Sequence, residues 1–126
     1  MTLDLVSKNC KEQYMLIYKI FRPTEWQELN DLGKTSGAPI DLSDGYIHFS
    51  TLEQVRETAA KHFANAGDLI LVACEDETMK RDLKWEESRG GALFPHLYRE
   101  LHMSDVLWHA PLVQGPNGHI FPDDMK

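Results

Sequence analysis

Cysteine is scarce in this chain, which carries only Cys10 and Cys74 among 126 residues. Two cysteines outside any Cys-x-x-Cys pair exclude a disulfide framework. Cys74 lies in an apolar run and is predicted to be a buried, unreactive thiol. No apolar run approaches the roughly 18 residues of a membrane span, and residues 1–14 carry charges where a secretory signal has an apolar segment. We therefore expect a cytoplasmic protein that does not insert into a membrane.

Positive charge is also in the minority, with 13 Lys and Arg against 20 Asp and Glu and a net charge of −7. This balance excludes a general nucleic-acid binder, which needs a basic face. It still permits a small anionic ligand, because one arginine or one helix N-terminus can bind an anion. The six histidines form no HxxxH or HExxH pattern, so no metal site is predicted.

Apolar periodicity and turn residues indicate one α+β domain at residues 15–113, with a flexible extension at 1–14 and an irregular tail at 114–126. The glycine-rich segment 33–45 is predicted to be a long loop. Pro95 cannot donate a ladder hydrogen bond and is expected on an edge strand or at a bulge. Helices are predicted at 25–32 and after a cap formed by Ser50 with Glu53 or Thr51 with Gln54. Extended segments are predicted at 15–21, 45–50, 68–74, 83–87, 92–101 and 105–113.

Two of the predicted strands each carry a histidine two residues before a hydroxyl side chain. His48 and Ser50 share one face of the first strand, because side chains alternate along a strand. His96 and Tyr98 share one face of the second strand, and Glu100 continues that face. If the two strands are neighbours, these side chains line one cleft.

Loops and a helix start supply further polar groups to this cleft. Asp41, Asp44 and Arg89 would enter it from glycine-rich loops, and Gly90-Gly91 would let a phosphate approach backbone N–H groups. The helix start at Ser50-Thr51 offers a second anion site. Each residue alone also has a purely structural interpretation, such as helix capping by Ser50 or Thr51. Their occurrence together on one face favours a ligand site.

The motifs GYIHFST at 45–51 and RGGALFPHLY at 89–98 resemble the small bacterial and plant family catalogued as domain of unknown function 952. The resemblance extends from about Met15 to about Leu112 and leaves out residues 1–14. It includes IYKI at 17–20, Trp26, GAPIDLSDGYIHFST at 37–51, the His62-Phe63 helix end and WEESRGGALFPHLY at 85–98. The fold of that family resembles the ADP-ribosyltransferases, whose split, two-sheet α+β core holds NAD. The resemblance implies for this chain a single small domain with a split, two-sheet, mostly antiparallel core and two helices.

This resemblance implies a ligand and a set of roles. ADP-ribosyltransferases carry His or Arg on a first strand, Ser-Thr at a helix start on a second, and Glu on a third. Tyr18 or Lys19 stands at the first of these places, Ser50-Thr51 at the second, and His96, Tyr98 or Glu100 at the third. The implied ligand is NAD, ADP-ribose or a related nucleotide, with NAD as substrate. The implied catalytic residues are His48, His96 and Glu100, and the implied ligand-binding residues are Tyr18, Asp44, Ser50, Thr51, His62, Arg89 and Tyr98.

Two other functions stay open. The first strand has no His or Arg at the place that the transferases use. This difference favours a non-catalytic module that binds a small molecule or a protein. A metal-dependent hydrolase would use His48, His62 and His96.

Overall fold

The computed structural model describes residues 15–88, 91–123 and 125. The extension predicted at 1–14 and the ligand-binding residue predicted at Arg89 lie outside these residues. The helices are α1 (Pro23–Leu32), α2 (Pro39–Asp44) and α3 (Leu52–His62). The strands are β1 (Leu16–Phe21), β2 (Lys34–Thr35), β3 (Ile47–His48), β4 (Leu69–Glu75), β5 (Leu83–Glu87), β6 (Leu93–Leu97), β7 (Leu101–His102), β8 (Val106–Gly115) and β9 (Gly118–Ile120).

A four-stranded antiparallel sheet in the order β1-β4-β8-β9 forms the centre of the fold. Side chains alternate across β1, so Ile17 and Phe21 face one side and Tyr18 and Ile20 face the other. The Tyr18 side packs on α3 through a core that includes Val55. Both faces of the sheet are therefore covered.

A three-stranded antiparallel sheet in the order β3-β6-β5 contributes to the core on the other face. Ile47 of β3 lies opposite Leu97 of β6, and both join Ile17 and Phe21 in that core. The short pair of β2 with β7 forms a third, two-stranded sheet. The predicted α+β class with antiparallel strands is confirmed. Among the described helices, none has both the length and the apolar character needed to cross a membrane.

The predicted loop at 33–45 is wrong, because it contains β2 and α2. Pro39 is well suited to the first turn of α2, since its missing N–H would have no partner there. Gly45 ends the helix with φ of 87°, a left-handed conformation that glycine adopts without strain. The described residues therefore form three α-helices, one more than predicted.

Three smaller predictions also need correction. Helix α1 begins at Pro23 rather than at residue 25. Pro95 lies in β6, the middle strand of its sheet, and not on an edge strand. The last regular pair between β3 and β6 joins His48 to His96, so the pairing ends before it reaches Pro95. The missing N–H of Pro95 therefore faces the point where the neighbouring strand ends. The tail predicted to be irregular from Gln114 instead forms a hairpin between β8 and β9.

Candidate functional site

A buried carboxylate, Asp41 of α2, lies at the centre of the site and accepts four hydrogen bonds. Its Oδ2 accepts from Lys19 Nζ at 2.7 Å and from the Ala38 N–H at 2.8 Å. Its Oδ1 accepts from the His48 N–H at 3.1 Å and contacts His48 Nδ1 at 2.6 Å. Asp41 is 1% exposed and Lys19 is 6% exposed. The pair is therefore a buried ion pair whose carboxylate also holds His48.

The chain leading into α2 is shaped around this carboxylate. Gly37 has φ of 96°, and a Cβ at this position would collide with the carboxylate of Asp41. Only glycine fits both the backbone conformation and the space. Asp41 lies in the first turn of α2, where it also accepts the Ala38 N–H that precedes the helix.

The charges of the pair follow from these contacts. Burial raises the pKa of Asp41, but hydrogen bonds from His48 and Lys19 outweigh burial and leave this pKa below its ordinary value. Burial lowers the pKa of Lys19, and the attraction of Asp41 opposes that change. Asp41 is therefore an ionised acceptor, and Nδ1 of His48 must carry a proton to donate to it.

The other ring nitrogen of His48 points to a second carboxylate. Nε2 lies 2.9 Å from Oδ2 of Asp44, the last residue of α2. The His48 side chain is 31% exposed and the Asp44 side chain is 39% exposed, whereas the Asp41 side chain is fully buried. His48 therefore contacts a buried carboxylate through Nδ1 and a partly exposed carboxylate through Nε2.

Four rings from neighbouring segments pack together, and we call Tyr46, His48, His96 and Tyr98 the ring cluster. His48 and His96 are directly opposite in the β3–β6 pair, and their ring centroids are 5.3 Å apart. Tyr46 stacks on His96 at 4.2 Å and lies 4.7 Å from His48 and 5.1 Å from Tyr98. Tyr46 thus packs against all three of the other rings.

A second carboxylate–histidine pair supports the ring cluster from β5. Glu86 Oε1 contacts His96 Nδ1 at 2.8 Å and accepts the Tyr98 hydroxyl at 2.7 Å. The hydrogen bonds from His96 and Tyr98 lower the pKa of Glu86, and the hydrogen bond to Glu86 raises the pKa of Tyr98 to about 12. His96 is 3% exposed, so it is a buried member of the cluster. Lys84 places its ammonium 4.7 Å from the Tyr98 ring centroid.

The structure brings together five of the residues predicted for the site. Asp44, His48, His96 and Tyr98 meet in or beside the ring cluster, and Glu100 shares with Tyr46 and Tyr98 the lining of an adjacent cavity of about 270 Å³. Glu100 is tied at this rim to Ser36 at 3.4 Å and Lys34 at 3.8 Å.

The other described site residues lie elsewhere. Ser50 is 4% exposed and its hydroxyl meets Thr58 of α3 at 3.0 Å, while its backbone bridges Tyr18 of β1. Thr51 caps α3, and its N–H donates to Gln54 at 2.9 Å. Tyr18 is buried against α3 and Trp108. The alternation rule misplaced Ser50 because β3 ends at His48, two residues earlier.

His62 is exposed at the last residue of α3, an 11-residue helix that begins beside Thr51. An α-helix of that length spans roughly 16 Å. Within the described residues, no group of three or more His, Cys, Asp or Glu side chains is arranged to hold a metal ion. The trio of His48, His62 and His96 proposed for a hydrolase is therefore not assembled.

Tyr46 and Glu86 were not predicted for the site, and Lys19 was named only as the counterpart of a family His or Arg. Lys19 shares the face of β1 that carries Ile17 and Phe21, so a charge on an apolar face was a visible signal of a buried partner. Glu86 was not predicted, because its place opposite Phe94 of β6, the strand that carries His96, depends on the β5–β6 register.

A larger cavity of about 620 Å³ lies between α3 and the β8–β9 hairpin. None of the residues predicted for the site lines it. The ring cluster, not this larger cavity, is therefore the candidate functional site.

Comparisons with known proteins agree with this fold. A family model described as "Protein of unknown function (DUF952)" matches residues 20–109. The crystal structure of protein CC0527 from Caulobacter crescentus is 49% identical, with 82% of this chain and 91% of that chain covered and a TM-score of 0.79. Its solution NMR structure is also 49% identical, covers 82% and 90% of the two chains, and has a TM-score of 0.74. No curated protein gives a significant match.

Proposed function

The chain belongs to the DUF952 family, and we propose that it is an ADP-ribosyltransferase-like protein that binds NAD, ADP-ribose or a related nucleotide at the ring cluster. The buried Asp41–His48 contact is the observation that carries this proposal. Burying an ion pair is often no more stabilising than burying apolar side chains of the same volume. A buried pair that binds one ring nitrogen of a partly exposed histidine is more typical of a functional site.

The ring cluster offers the kinds of contact that a nucleotide needs. Tyr98 is 39% exposed, so part of its surface is open to a base or nicotinamide ring. Nε2 of His48 would hydrogen-bond a ribose hydroxyl or a pyrophosphate oxygen. Lys84, whose ammonium lies beside Tyr98, supplies a positive charge for the pyrophosphate. In this proposal His96, held by Glu86, positions Tyr46 and Tyr98.

A thermal-shift screen against NAD, ADP-ribose, nicotinamide and adenosine tests the proposal. A ligand at about 100 times its dissociation constant adds roughly 2.7 kcal/mol of stability, which is a rise of several degrees in Tm for a domain of this size. We expect a shift with NAD or ADP-ribose that is lost in His48→Ala and kept in His102→Ala, which changes an exposed histidine of β7. No shift with any nucleotide, or an equal shift in both variants, would contradict the proposal.

Binding without transfer is a second candidate function, favoured by the first strand. Tyr18 is buried in the core and Lys19 is committed to Asp41, so neither presents a cationic side chain to a ligand. The candidate glutamate, Glu100, is held by Ser36 and Lys34. If this candidate is correct, chromatography will show bound NAD unchanged after prolonged incubation. Release of nicotinamide above the rate of His48→Ala would instead establish turnover.

A further inference from the structure

The contacts of His48 give each ring nitrogen a different partner. Asp41 uses all of its acceptor capacity on Lys19, Ala38 and His48, and therefore requires Nδ1 of His48 to donate. Nε2 lies 2.9 Å from the carboxylate of Asp44. Two acceptors repel at that distance, so this contact is attractive when Nε2 also carries a proton. In that state the ring is an imidazolium held between two carboxylates.

The two carboxylates are not equivalent. Asp41 is buried and held by Lys19 and two backbone N–H groups, so its contact with His48 is permanent. The Asp44 side chain is 39% exposed and lies at the C-terminal end of α2, where the helix does not favour a negative charge. The contact of Asp44 with Nε2 is therefore the exchangeable one.

We propose that Asp44 occupies the place of an anionic ligand oxygen at His48 Nε2, and that a phosphate or pyrophosphate oxygen binds His48 by displacing it. This inference deepens the proposed function, on which it rests for the nucleotide, by naming the part of the ligand that His48 recognises. Nε2 has one proton and can make one good hydrogen bond, so the two acceptors exclude one another.

The charges around His48 support an exchange of one anion for another. Asp41 and Asp44 face the ring from α2, His96 faces it from β6, and Tyr46 packs beside it. Lys19 lies behind Asp41. The positive charges of Lys19 and protonated His48 balance the negative charges of Asp41 and Asp44 while Asp44 contacts His48. When Asp44 leaves Nε2, one positive charge is left for the ligand to neutralise.

The first experiment measures the His48 ring by NMR in the ligand-free protein, with signals assigned through His48→Gln. We compare the wild type, Asp44→Asn, and Glu57→Gln, a control that also removes one exposed negative charge from a helical pair with Lys61. The Nε2 chemical shift of His48 should change in Asp44→Asn, because that nitrogen loses its carboxylate partner. It should stay unchanged in Glu57→Gln. Equal values in all three proteins would overturn the contact.

The second experiment measures binding of inorganic pyrophosphate, ADP-ribose and adenosine by calorimetry, in the same buffer for all three proteins. Pyrophosphate and ADP-ribose should bind about two- to fivefold more tightly to Asp44→Asn than to the wild type, because one exposed competing ion pair is removed. Their affinity for Glu57→Gln should equal that of the wild type. Adenosine has no phosphate and should not distinguish the three proteins.

These probes separate the inference from the proposed function. If pyrophosphate binds and responds to Asp44→Asn while ADP-ribose does not bind, the inference stands and the nucleotide proposal fails. If ADP-ribose binds equally to wild type and Asp44→Asn, the nucleotide proposal stands and the inference is overturned. If none of the probes binds, both are overturned.

Discussion

Replacing Asp41 with asparagine is expected to destabilise this fold more than any surface substitution. The change is nearly isosteric, but it removes the anion that faces the buried ammonium of Lys19 at 2.7 Å. It also places an amide where four donors converge. Removing one partner of a buried ion pair costs about 3–5 kcal/mol, because the other charge stays buried without compensation. For a domain of this size the loss corresponds to a fall in Tm of roughly 10–20 °C.

The assay is urea denaturation followed by tryptophan fluorescence, with calorimetry for Tm. Asp31→Asn, which alters an exposed residue of α1, is the matched control and should change stability by less than about 0.5 kcal/mol. Lys19→Met should cost less than Asp41→Asn, because Asp41 keeps its contacts with Ala38 and His48.

A double variant, Lys19→Met with Asp41→Asn, completes the thermodynamic cycle. It should be more stable than the sum of the two single losses predicts, since it leaves no unpaired buried charge. If Asp41→Asn does not fold, Lys19→Met and the double variant still test the reasoning. The account is refuted if Asp41→Asn unfolds within about 1 kcal/mol of the wild type, or if the two losses simply add.

Three further predictions concern ionisable groups. Glu86→Gln should lower the pKa of Tyr98 from about 12 toward its ordinary value of 10.0, because the hydrogen bond to the Glu86 carboxylate is the main cause of the raised pKa. Ultraviolet titration, with Tyr98→Phe as reference, measures this pKa. An unchanged value would contradict the Glu86 contact. Asp105 accepts hydrogen bonds from Arg99 and from the His102 N–H, which lower its pKa as those from His48 and Lys19 lower the pKa of Asp41. Both carboxylates therefore stabilise the fold above the unfolded pKa of about 3.9, and this stabilisation is lost as pH falls below it. Urea midpoints should fall from pH 7 to pH 3, and less steeply in Asp41→Asn. Burial raises the pKa of the Cys74 thiol. In a Cys10→Ser variant, Cys74 should therefore not react with Ellman's reagent until urea unfolds the protein. Fast reaction in native buffer would contradict the burial of Cys74.

Local patterns predicted much of the fold because the signals lay within short segments. The apolar run at 68–74 became the central strand β4, and the cap predicted for Thr51 with Gln54 placed the start of α3. The segment 33–45 was misread because its three glycines and one proline suggested a loop. Pro39 and Gly45, which there begin and end α2, are equally typical of helix ends.

The candidate site was predictable where alternation within a strand decides it, and not where strand pairing does. The meeting of His48 with His96 followed from their places on two strands that proved to be neighbours. The roles of Lys19 and Asp41 depend on β1 and α2 approaching one another, which no local pattern encodes. The pairing of Glu86 with His96 likewise depends on the register of two strands ten residues apart.

The most direct test of a nucleotide site at the ring cluster is to titrate ADP-ribose into the protein and follow the histidine ring signals by NMR. The account predicts that the signals of His48 and His96 shift and saturate with one equivalent, while those of His102, His109 and His119 stay in place. His119 contacts the Gly67 carbonyl at 2.8 Å and lines the larger cavity. Shifts confined to His119, or no shifts at all, would contradict the assignment of the ring cluster as the site.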